Sequence, residues 1–98
     1  MSVNETLNER KKTHGDFADF ARITQSIKYA IFDGVIESQG LTPLEWFTHQ
    51  QREAIEMIAH KLGRVAAGDP NVADHWHDIA GYATLAETEI KSHERKDY

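Results

Sequence analysis

Two long stripes of residues at helical spacing, separated by a hard stop at Gly68-Asp69-Pro70, constrain this chain more than any other feature. Leu44, Phe47, Gln51, Ile55, Ile58, Leu62 and Val65 make the first stripe. Val72, Trp76, Ile79, Ala83, Ala86 and Ile90 make the second. Spacings of three and four put each set on one helical face. Glycine ends a helix and the following proline cannot continue one, so the stop enforces a turn. Thr42-Pro43-Leu44-Glu45 gives the start of the first run: a threonine cap, proline at the first helical position, and glutamate three residues after the cap. The pattern predicts one helix to about Ala67 and another from between Pro70 and Asp74 to about Ser92.

Upstream, Ser2 caps a first helix with Glu5 as its return partner, running to about Lys12. Only Val3 and Leu7 give it an apolar side, so residues 1–13 read as an exposed arm or as a helix awaiting a partner subunit. Thr13-His14-Gly15 breaks it. Asp16 opens the next helix, about 16–33, with Phe20, Ile23, Thr24, Ile27, Ala30 and Ile31 on one face and Phe17 at its edge. Gly34 reads as its stop and 35–40 as a loop. No segment alternates at the period of a strand. The expected architecture is one all-α domain over residues 1–98, a four-helix bundle with a frayed charged tail at 93–98. The helix from Thr42 exceeds the helices it packs on, so a dimer or higher oligomer is expected.

Cysteine is absent, which removes disulfides and thiolate zinc sites. The formal net charge is −5, which disfavours binding to extended nucleic acid. No apolar run suits a membrane span or a signal peptide, so the expected compartment is the cytoplasm. Six histidines matter only where some converge in space.

Several constellations could carry chemistry. Glu53 and Glu56 lie three apart on one face, where two carboxylates can share a divalent cation or simply face water. Asp74 and Asp78 lie four apart on the next helix. Their repulsion calls for a cation or for a basic partner across the turn, Lys61 or Arg64, so an inter-helix salt bridge explains them as well as a metal does. His75 and His77 point about 100° apart and cannot share one metal on a regular helix, though either could touch a ligand singly. His14-Gly15-Asp16-Phe17 is a helix junction whose free amides could face an anion. Lys61 and Arg64 suit the helix dipole and could also clamp a phosphate.

His14-Gly15-Asp16-Phe17, Lys61-Leu62-Gly63-Arg64 and Asp74-His75-Trp76-His77-Asp78-Ile79-Ala80-Gly81-Tyr82 together resemble a small α-helical family common in phages and prophages. Its pattern is similar to nucleotide-modification-associated domains and, more distantly, to MazG-like all-α nucleotide pyrophosphohydrolases. The distant resemblance implies Mg²⁺ held by an ExxE and a second acidic pair, with cleavage between the α and β phosphates of a nucleoside triphosphate. Glu53 and Glu56 would be the catalytic carboxylates, holding the metal with Asp74 and Asp78. The second pair is four apart here, where the usual ExxD spacing is three. Lys61 and Arg64 would contact phosphate, and His14, His75 and Tyr82 would complete the ligand site. The alternative is a non-catalytic accessory protein that binds or sequesters a nucleotide or signalling ligand, or blocks a host protein.

Overall fold

A computed structural model of the chain describes residues 2–96. It is all-helical: α1 (Val3–His14), α2 (Phe17–Gln39), α3 (Pro43–Trp46), α4 (His49–Ala67) and α5 (Ala73–Lys96). The helix expected from Thr42 to Ala67 is two helices, because the sequence carries a second start signal. Thr48 Oγ1 accepts from the Gln51 amide at 3.1 Å, and the Gln51 side chain returns to the Thr48 amide at 3.0 Å. This second capping box follows the first, at Thr42 and Glu45, by six residues and leaves one helical turn between them. Phe47 is extended there, at φ −97 and ψ 147. Thr48→Ala is expected to cost about 1 kcal/mol, the usual worth of such a cap, measured by urea unfolding.

Helix α2 runs past its expected stop. Gly34 is helical, and the left-handed glycine that ends the helix is Gly40, at φ 67. A methyl group on Gly34 would meet nothing within 4 Å, so this glycine terminates nothing. Of the tail expected to fray at 93–98, the part to Lys96 is helical as the end of α5, and residues 97–98 lie outside the described residues.

Helix α4 is the centre. It packs against α2 on one side and α5 on the other, and α2 and α5 do not touch each other among the described residues. The three long helices therefore form a single layer, and one chain does not close a four-helix bundle. The closest approach is at Gly63, where an added methyl group would collide with Thr24 Oγ1 of α2 and press on the Phe20 ring. Buried hydrophobic residues are few, namely Val35, Ala54 and Ala59. No helix among the described residues is long and apolar enough to cross a membrane.

The ends of α1 and α4 are locked together. Gly15, at φ 86, sits against the Ala67 backbone so closely that a side chain would clash. Gly68 is pressed in the same way against the Thr13–Gly15 backbone. The Thr13 carbonyl accepts from the Asp69 amide and stands at hydrogen-bond distance from His75 Nε2, each at 3.1 Å. One carbonyl thus joins the end of α1, the α4–α5 turn and the start of α5.

Candidate functional site

Helices α1, α2 and α4 meet around a cavity of about 320 Å³. Its basic lining is Lys11 together with two pairs at helical i,i+4 spacing, Arg10 and His14 on α1 and His60 and Arg64 on α4. Residues so spaced share a helix face, and the junction at Gly15 turns the two faces towards one space. Leu7, Phe17 and Phe20 give the cavity its apolar wall. Phe17 is 77% exposed, while Phe20 packs edge-on against His60 with ring centroids 4.7 Å apart. Asp16 is the one carboxylate in the lining, and Lys11 Nζ lies 3.5 Å from it.

Burial first, and mutual repulsion of the cations second, disfavour the charged forms of His14, His60 and Arg64. Burial pushes His14 below its ordinary value, helped by the charges of Arg64, His75 and Arg10. Burial pushes His60 down too, with Arg64, Lys61 and Lys28 behind it. Arg64 itself is lowered by burial and by Arg10, with only Asp78 pulling the other way. In a chain of net charge −5, this is a local concentration of positive charge.

His75 stands behind His14, not in the cavity. It is 3% exposed, its ring meets the His14 ring edge-on at 5.0 Å, and its Nε2 faces the Thr13 carbonyl. A carbonyl only accepts, so this nitrogen carries a hydrogen. His75, expected as a ligand contact, is placed by its burial and this hydrogen bond against the α1 junction. Lys61 lies on the α5 side of α4, its Nζ 3.0 Å from Asp78 Oδ2. That hydrogen bond holds the Asp78 carboxyl below the usual carboxylate range. The inter-helix salt bridge, one of the two explanations open for Asp78, is the one the structure contains.

The four carboxylates do not assemble within one chain. Glu56 turns to α2, with Lys28 Nζ 3.5 Å away. Glu53 lines a separate open groove between α4 and α5, beside His49, Tyr82 and Glu89. Asp74 is exposed in the first turn of α5. Among the described residues, no three histidines or carboxylates stand close enough together to hold a metal ion. Within one chain the four expected carboxylates therefore form no shared donor set for Mg²⁺. Of the expected ligand contacts, His14 and Arg64 share the cavity, while Lys61, His75 and Tyr82 lie outside it. Arg10, His60 and Phe17 are additions. The i,i+4 spacing of Arg10 with His14 and of His60 with Arg64 is the one trace that the first two leave in the sequence.

The fold and site define a small all-helical domain with a cationic cavity at one end of a three-helix layer. The chain belongs to the family described as a domain of unknown function, DUF6378, whose model matches residues 2–90. Nothing among the curated proteins or the solved structures matches it.

Proposed function

We propose that the protein binds a small phosphorylated ligand, of the nucleotide class, in the cavity between α1, α2 and α4. One observation carries this reading: Arg10, His14, His60 and Arg64 face one space in an otherwise acidic chain. Such a cluster repels itself when empty, and a bound polyanion adds attractive terms that offset this repulsion. Arginine supplies the planar fork that matches phosphate oxygens. Phe17, exposed at the rim, offers a flat apolar surface to a base, and the resemblance to nucleotide-modification-associated domains supports the same ligand class. The volume lies at the low end of the range for ligand pockets, about 300–1,000 Å³, which suits one phosphorylated moiety. Among the described residues of one chain no three histidines or carboxylates gather, which favours a binder as the reading over a Mg²⁺-dependent hydrolase.

The test is a thermal-shift and calorimetric panel of phosphate, pyrophosphate, and nucleoside mono-, di- and triphosphates. Stabilisation by at least one phosphorylated ligand, unchanged by a chelator and without turnover, is the expected result. A flat response across the panel would remove the proposal, and metal-dependent release of pyrophosphate would restore the hydrolase reading.

The histidines give this binding a pH signature. Both are held below their ordinary value of 6.5, so the unfolded chain takes up protons first as pH falls. Their contribution to stability is full above pH 6.5 and is lost on acidification towards the folded-state values. A bound anion acts oppositely by favouring the imidazolium forms. Affinity is therefore expected to rise between about pH 7.5 and pH 6, with proton uptake on binding. Calorimetry in buffers of different ionisation enthalpy measures that uptake, and zero uptake would place the anion away from His14 and His60.

A further inference from the structure

The single layer leaves a broad apolar face uncovered. Trp46, Phe47, Ile55, Ile58 and Ala86 line an open groove of about 410 Å³ across α3, α4 and α5. The stripe of α5 that passes through Ala86 continues along the same helix through Trp76, Ala83 and Ile90. Helical spacing marks Trp76 and Ile90 as core positions, yet they are 50% and 44% exposed, and Trp46 beside the groove is 47% exposed. A 98-residue compact domain has a radius of gyration of about 13 Å, whereas this one has 16.2 Å and extends 53 × 29 × 23 Å. A monomer of 11.2 kDa exposes about 5,700 Å², whereas this chain exposes 7054 Å², roughly 1,400 Å² in excess.

We infer that this face is the interface with a second copy of the same chain, the two layers packing groove to groove. The excess surface decides the occupant. Obligate homodimers bury about 1,000–2,500 Å² per partner, and the excess falls inside that range. No large side chain among the described residues is fully buried, so a lone chain lacks the core that would make it stable by itself. A twofold pairing supplies that core without any other gene product, and two-fold homodimers are the commonest assembly. The cationic cavity, on α1 and the α1-facing side of α4, stays open in such a pair. This inference is independent of the ligand proposal.

Sedimentation of the full chain is expected to give twice the monomer mass, with a melting temperature that rises with protein concentration. Ile90→Glu, at a position already half exposed in one chain, is expected to weaken the dimer by about tenfold or more. Val3→Glu, on the exposed side of α1, is expected to leave it unchanged. Should Ile90→Glu fail to fold, the wild-type protein still decides the matter. Its two tryptophans are expected to resist acrylamide quenching in the dimer and to become accessible on dilution. A monomer at every concentration, with a constant melting temperature, would overturn the proposal in favour of a different partner. A dimer whose tryptophans stay fully quenchable, or one that Ile90→Glu leaves intact, would overturn the assigned face.

Discussion

Gly63→Ala is expected to lower the melting temperature by about 5–15 °C, the equivalent of about 1–3 kcal/mol of overpacking in a domain this size. In an isolated helix the same change would be favourable by about 1 kcal/mol. The sign reverses because the new methyl group collides with Thr24 Oγ1, and the Phe20 ring blocks the sideways escape. Thr24 Oγ1 is itself buried without a hydrogen-bond partner. The pair therefore makes a sharp double-mutant test. Thr24→Ala removes both the colliding atom and an unsatisfied hydroxyl, so alone it is expected to be close to neutral. Combined with Gly63→Ala it is expected to recover most of the loss. Additive single effects in denaturant unfolding would mean that α2 and α4 do not cross at this point.

Arg64→Gln is expected to weaken binding of the stabilising phosphorylated ligand about 10- to 100-fold, the worth of one or two charge-assisted hydrogen bonds. The ligand-free protein is expected to melt at the same temperature or higher, because Arg64 is a repelled cation that burial already disfavours. This combination separates a ligand contact from a structural residue, which would lose both properties together. A second readout comes from the histidines. Arg64 lowers both His14 and His60, so both are expected to titrate at higher pH in the variant, as followed by NMR. Unmoved histidines would show that Arg64 points elsewhere, and unchanged affinity would dissociate the cavity from the ligand.

The all-helical class, the Thr42 start and the Gly68 stop are legible in the residues, but the expected core stripe is only half buried: the buried positions of α4 are Ala54, Ala59 and Gly63, and Leu44 is 69% exposed. Local signals misled at two places. Gly34 looks like a stop, but helix α2 continues through it, and the terminating left-handed turn falls at Gly40. Thr48-x-x-Gln51 is a start signal inside an otherwise continuous stripe, and the stripe masked it.

The site was harder to read, for a physical reason. Helical spacing shows which carboxylates share a face, but not what that face meets. Glu56 met Lys28 and Asp78 met Lys61, cross-helix pairs that occupy two of the four carboxylates expected at a metal. The basic pairs Arg10/His14 and His60/Arg64 each look like ordinary solvated surface. They become a site only because Gly15 folds α1 back upon the end of α4.

The shared acceptor at Thr13 bears on how the chain can be shortened. Helix α1 carries no buried residue, and by surface area it looks disposable. Cutting it away through Thr13 would strand two hydrogen donors at once, the Asp69 amide and the ring nitrogen of an almost wholly enclosed His75. A trimmed version that keeps Thr13 would lose Arg10 yet retain its fold, whereas one starting two residues later would unravel the hinge between the last two helices.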